Sequence, residues 1–302
     1  MAAPTLLVRG RSIEVRSTLV MGVVNASQNS FSDAGRYRTL DDRLRLADAL
    51  VAAGADVIDV GGQSAITGLP ETDAAEERDS VVPIVEWIAE RHPDVLVSVD
   101  TYKPLVAEAV IAAGASIIND VSGLLYPQIA TLCAAAQIAL VVMHTRARPK
   151  TSLQDPDFYA DVAADVVDFL AERMRHAEQL GVPRESIILD PGPDFGKTPH
   201  QTIEVMRRLG DVRALGRPVL LAISRKDFLG AITSTAPAQR GPATLAALAH
   251  FAVEPGNIVR VHDVAGAVDV VKTIDVLTGR AEVRADYQLP DRLRHEPSSD
   301  RR

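Results

Sequence analysis

The stretch VLVSVDTYKPLVAEAVIAAGASIINDV, residues 95–121, decides the fold. A short β-branched run, Val95 to Val99, is followed by helical spacing near 103–113 and then by a second apolar run, Ser116 to Ile118. Two such runs joined by one helical stretch make a βαβ unit, since parallel strands need a crossover and both faces of their sheet are covered. The rhythm continues in both directions. Further runs lie at Thr18 to Val24, Asp56 to Val60, Ile138 to Met143, Ser186 to Leu189, Pro218 to Ile223 and Asn257 to Val261. Ala- and Leu-rich helical patterns lie near 39–53, 72–92, 127–136, 157–180, 199–209, 240–254 and 264–279. Eight strand–helix units predict an α/β chain folded as a single (β/α)8 TIM barrel over residues 1–280. Leu6 to Val15, around Arg9-Gly10-Arg11, predicts an N-terminal β-hairpin plugging the bottom of the barrel. Residues 281–302 lose apolar periodicity and read as a flexible, disordered polar tail.

Composition narrows the function. The 302 residues are 47% hydrophobic and 24% charged, which suits one large domain. A formal net charge of −8 without a basic block argues against a nucleic-acid surface. The one cysteine, Cys133, rules out an internal disulfide and has no His/Cys cluster for zinc. Met1 to Val8 has no signal-peptide pattern, and no segment approaches the ~18 apolar residues that span a bilayer. A soluble, cytoplasmic protein is expected.

In such a barrel, functional groups gather at the carboxyl ends of the strands. The candidates there are Asn25, Asp59 with Gly61-Gly62, Asp100, Asn119-Asp120, His144, Asp190-Pro191-Gly192, Ser224-Arg225-Lys226, and Arg260 with His262 and Asp263. Any one of them reads equally well as a helix cap or turn residue. Capping does not account for all eight ends being polar, or for Lys226, Arg260 and His262. Asp100, Asn119 and Asp190 suit the donor/acceptor edge of a flat, guanidine-like heterocycle. Arg260 and His262, with Asn25 across the mouth, suit phosphate oxygens with or without a bridging magnesium. Lys226 sits over the ring, bonds its carbonyl, or forms a rim salt bridge.

The wording of these segments resembles the dihydropteroate synthase family over nearly the whole chain. The motifs are Met21-Gly-Val-Val-Asn25 leading to Ser30-Phe-Ser-Asp33, Gly54 to Gly62, Val97-Ser-Val-Asp100-Thr101, Ile117-Ile-Asn119-Asp120-Val121, Met143-His144, Ile188-Leu-Asp190-Pro-Gly192, Phe195-Gly-Lys197, Ser224-Arg-Lys226 and Arg260 to Val264. The family joins a pterin diphosphate to p-aminobenzoate and expels pyrophosphate, with Mg2+ on the diphosphate. The resemblance therefore implies pterin contacts from Asp59, Asp100, Asn119, Met143, Asp190 and Lys226. It also implies catalytic roles for Asn25, Asp33, Arg260 and His262, a metal contact from Asn25, a p-aminobenzoate side formed by Phe31 and Ser224, and a homodimer.

The resemblance breaks at two loops. Asn25 to Gly35 lacks the Pro and one Asp of the family's Asn-Val-Thr-Pro-Asp-Ser-Phe-Ser-Asp-Gly-Gly. Gly61-Gly-Gln-Ser-Ala-Ile-Thr-Gly68 stands where the family reads Gly-Gly-Glu-Ser-Thr-Arg-Pro-Gly, so Ile66 replaces a guanidinium. Losing one donor to a developing anion costs about 3–4 kcal/mol. Pro193-Asp194 places a further negative charge beside the expected anion site. These departures predict a pterin pocket that is inactive or very weak in condensation. The alternatives are a working synthase with an altered p-aminobenzoate and sulfonamide loop, a non-catalytic pterin-binding modulator, and a transferase using another acceptor. Asp194-Phe195-Gly196 imitates a kinase motif and Phe195 to Thr198 a nucleotide loop, but neither has its required context. His92, His176, His200 and His250 receive no role.

Overall fold

The computed structural model describes residues 3–26, 39–63, 67–68 and 70–295. Phe31, Asp33, Ala65 and Ile66, singled out above, lie outside the described residues. Eight parallel strands close into a barrel: β3 (Leu19–Asn25), β4 (Val57–Gly61), β5 (Leu96–Asp100), β6 (Ile117–Asp120), β7 (Ala139–Met143), β8 (Ile187–Asp190), β9 (Val219–Leu221) and β10 (Asn257–Val261). Their order is β10-β3-β4-β5-β6-β7-β8-β9. The hairpin precedes them as β1 (Thr5–Val8) and β2 (Arg11–Glu14). Its two-residue turn has φ 49° at Arg9 and 70° at Gly10, the left-handed pair whose twist matches the strands.

Strand periodicity explains where the core ends and the site begins. Successive side chains alternate between faces, so residues two apart share a face. Met21, Val57, Leu96, Ile117, Ile188, Leu220 and Ile258 point into the barrel and pack with Leu6, Val8 and Val15 of the hairpin segment. The hairpin thus plugs the amino-terminal end. Two residues further along the same strands, the inward positions become Asp59, Ser98, Asn119, Asp190 and Arg260. The alternate residues, among them Ile58, Val60, Val99, Ile118 and Leu189, face outward into a second cluster with the helices. Burial on both faces is what forces the near-continuous apolar runs.

The outer ring comprises α1 (Leu40–Ala52), α2 (Ala74–Arg91), α3 (Pro104–Ala112), α4 (Gln128–Ala136), α5 (Val162–Gln179), α6 (Pro199–Arg207), α7 (Leu209–Arg213), α8 (Asp227–Thr233), α9 (Gly241–Phe251) and α10 (Val264–Leu277). Caps set several starts. Asp161 accepts from Ala164 N at 2.9 Å, which delays α5 past the expected residue 157. The short α7 and α8 have no counterpart in the sequence reading, because one or two turns are too short to show a period. Strand ends also differ from expectation by about one residue. Asp100, Asn119 and Asp190, just past the expected runs, belong to the strands themselves, as Asp59 does. Beyond α10, residues 281–295 run mostly exposed with a single 3-10 turn at Asp291–Leu293.

Candidate active site

The inward-pointing ends of β4, β5, β6 and β10 meet in one hydrogen-bonded cluster. Asp59 is fully buried and accepts from Ser98 Oγ at 2.6 Å and Arg260 Nε at 2.6 Å, with Asn119 Nδ2 at 3.5 Å. The second arm of Arg260 reaches Asp100 Oδ2 at 3.4 Å. Burial works against the Arg260 charge, but Asp59 and Asp100 outweigh it and its pKa is raised. Asp100 moves the other way. Burial, with Asp59 and Glu77 nearby, lifts its carboxyl to about 7 despite Arg260. Asn119 Oδ1 is buried and accepts no hydrogen bond from any described residue. Leaving such an acceptor unmade costs about 1–3 kcal/mol.

Across the mouth, β8 ends at Asp190, whose Oδ1 accepts from Gly192 N at 2.7 Å. Burial pushes this carboxyl up to about 6, against the Gly192 amide and the Lys226 and Lys197 charges. Met143 is buried and stands opposite Asp190 in the register. Lys226 caps α8, and its Nζ lies 4.3 Å from the centroid of the Phe195 ring. This contact with the face of Phe195 is not among the readings of Lys226 from sequence, and burial lowers its pKa. A cavity of about 330 Å3 joins Asp100, Thr101 and Tyr102 to Phe195 and Lys226.

The third group lies beside the first. Ser224 Oγ contacts His262 Nδ1 at 2.8 Å and accepts from His262 N at 3.3 Å. Ser224 therefore orients His262. Asn25 ends β3 opposite Gly61. Two strand-end residues prove to be structural. Asp263 caps α10 through Gly266 N, and Asp120 holds a turn by accepting from Ser122 N and Oγ. Asp194 is not a bare charge beside the mouth, because it accepts from Thr202 Oγ1 at 3.1 Å and from Asp227 N at 2.6 Å.

With this geometry in place, known proteins supply the context. Residues 21–262 match the family of pterin binding enzymes. The dihydropteroate synthase of Escherichia coli is 35% identical over 277 residues, covering 92% of this chain and 98% of that protein. The chain belongs to the dihydropteroate synthase family. That of Streptococcus pyogenes is 39% identical over 272 residues, 89% of this chain and 98% of the relative. Among solved structures of the family, the Yersinia pestis dihydropteroate synthase with a sulfonamide drug superposes with a TM-score of 0.85 at 32% identity, covering 92% of this chain and all of that one. The Burkholderia cenocepacia enzyme complexed with 7,8-dihydropteroate gives 0.81 at 36% identity, over 93% of this chain and 98% of that one.

Membership of the family gives no support to the expectation of an inactive paralogue. Two polar clusters around the mouth are not legible as clusters in the sequence, although His144 is a strand-end candidate and Lys197 part of the Phe195-Gly-Lys197 motif. Lys103 Nζ donates to Glu77 Oε2 at 2.7 Å, to Gln63 Oε1 at 3.2 Å and to Thr72 O, tying the start of the loop after β4 to α2. Lys197 and His144 form the second. Each residue is unremarkable by type, and only the fold reveals that Glu77 and Lys197 are fully buried. No helix among the described residues is long and apolar enough to cross a membrane.

Proposed function

We propose that the protein is a working dihydropteroate synthase with an altered acceptor loop, condensing a pterin diphosphate with p-aminobenzoate. The observation that carries this reading is the buried, unpartnered Asn119 Oδ1 at the inward strand ends that also hold Asp59, Asp100 and Asp190, with Asp100 lining the adjoining cavity. A flat heterocycle bearing amino and ring N–H donors satisfies that acceptor and both raised carboxylates at once. An alkyl or purely anionic ligand satisfies none of them.

In this reading Asp100, Asn119 and Asp190 orient the ring, and Lys226 with Phe195 closes the cavity at its edge. The amine nitrogen attacks the pterin methylene, the methylene–oxygen bond breaks, and the diphosphate leaves with the electron pair while the amine loses a proton. Arg260, held by two carboxylates, and His262, held by Ser224, face the departing charge in fixed orientation. Preorganised donors of this kind are the largest usual term in stabilising a leaving anion. Among the described residues no group of three His, Cys, Asp or Glu side chains is placed to hold a metal. The site fits Mg2+ all the same, since that ion keeps most of its waters and takes substrate phosphates. Asn25 would contribute one carboxamide oxygen, and the ion would neutralise the diphosphate.

The test is dihydropteroate formation by the purified protein with Mg2+, pterin diphosphate and p-aminobenzoate, together with rescue of a synthase-deficient strain. Turnover comparable to that of ordinary family members is expected. Pterin binding without turnover would return the silent paralogue.

A further inference from the structure

The loop between β8 and α6 is wound through alternating left-handed residues, with φ of 62° at Gly192, 63° at Asp194 and 61° at Gly196. A left-handed non-glycine residue such as Asp194 stores backbone strain and persists only when its surroundings hold it. The holder is Lys197. Its side chain is the largest fully buried one among the described residues, and its Nζ contacts Gly192 O at 2.9 Å, Phe195 O at 3.1 Å and His144 Nδ1 at 2.7 Å. An ammonium has three donors, and here each has one acceptor. His144 is committed by this arrangement. Its Nδ1 accepts from Lys197, so its proton sits on Nε2 and is directed at Asp165 Oδ2, 3.2 Å away, which Arg146 grips with two nitrogens. Burial and the Lys197 charge lower the imidazole to about 4, consistent with a neutral ring.

From this loop the contacts lead straight to the mouth. Gly192 N holds Asp190, the Phe195 ring lies under Lys226, and Asp194 accepts from the first amide of α8, the helix that Lys226 caps. We infer that Lys197 is a positioning residue for the condensation, its ammonium clamping the strained 192–196 loop so that Phe195 and Lys226 close the edge of the cavity against which the p-aminobenzoate must enter. The inference rests on the function proposed above, and the experiment separates the two.

Lys197→Met keeps the bulk and removes the three bonds. The KM for p-aminobenzoate should rise about tenfold or more, the cost of losing one ordering hydrogen bond. A positioning role also predicts non-additivity. Phe195→Ala, costly in the parent, should change KM less than about twofold when added to Lys197→Met. Equal effects of Phe195→Ala in both backgrounds would overturn the inference. Lys197→Gln, which keeps a donor and buries no charge, is read in the same way if Lys197→Met does not fold. If the parent fails to bind pterin diphosphate, the proposed function falls. The clamp is then judged by hydrogen exchange at the Gly192, Asp194 and Phe195 amides, which should speed up markedly in the variant and whose unchanged protection would sink it.

Discussion

Asp190→Asn isolates the tension between stability and binding in this site. Asp190 is 2% exposed, and burial raises its carboxyl from 3.8 to about 6. A raised carboxyl pKa contributes stability that is fully present below about 3.8 and is lost as pH rises through about 6. The shift of roughly two units corresponds to roughly 3 kcal/mol lost by the ligand-free parent at pH 8. Asparagine keeps the acceptor for Gly192 N, at 2.7 Å in the parent, and has no charge to bury. The ligand-free variant should therefore melt several degrees higher than the parent at pH 8, with the gap closing toward pH 4. Binding should move the opposite way. Hydrogen bonds to a charged group contribute about 1.5–3 kcal/mol each, so two from the pterin lost together weaken affinity by about a hundredfold or more. Thermal melts across pH and calorimetric titration with pterin diphosphate report the two effects separately. A dissociation constant within threefold of the parent, or a variant less stable at pH 8, would refute the assignment of Asp190 as a strained ligand-binding carboxylate.

Pterin affinity in the parent should fall as pH drops through about 7 to 6, because Asp100 and Asp190 gain protons and stop accepting; titrations between pH 5 and 8 measure this. Arg260→Met leaves Asp59 buried without its 2.6 Å partner and should cost about 3–5 kcal/mol in denaturant unfolding, whereas adding Asp59→Asn should recover much of it. Gly192→Ala should abolish pterin binding and lower the melting temperature, since its Cβ would lie 2.1 Å from His144 O at a φ of 62°. Leu6→Ala, in the hairpin plug, should cost about 2–5 kcal/mol without changing pterin affinity.

The architecture was readable from periodicity because a sheet buried on both faces leaves uninterrupted apolar runs, and the hairpin announced itself by Arg9-Gly10. The site was readable only in part. Motif wording brought Asp59, Asp100, Asn119, Asp190 and Lys226 to one mouth, but it could not tell ligand contacts from scaffolding. Asp263 and Asp120 look like site residues in one dimension and prove to be a cap and a turn. Lys197 looks like a loop cation and proves to be fully buried, because burial depends on the whole barrel and not on neighbours in sequence. The charge of Asp194 counted against activity until the structure showed it spent on Thr202 and α8.

That reassignment bears on activity itself. The case for a silent protein drew on charge, from a guanidinium missing at position 66 and an aspartate added at 194. The second of these still lines the cavity, but both of its carboxylate oxygens are hydrogen-bonded, to Thr202 and to the first amide of α8. What the site retains is expensive. Asp100 and Asp190 are held well above the ordinary carboxylate range, and Asn119 Oδ1 is left unbonded, each at a cost to the ligand-free fold. An amide at position 190 should relieve its share of that cost without disturbing the barrel, as the Asp190→Asn prediction states. A chain that carries all three at its inward strand ends bears a penalty that a ligand with matching donors removes. The same pairs fix Arg260 and His262, which a ring-binding pocket alone does not require. A leaving group that develops negative charge does require them, and for that reason the intact Arg260–Asp59 and His262–Ser224 pairs weigh more heavily toward catalysis than the altered loop weighs against it.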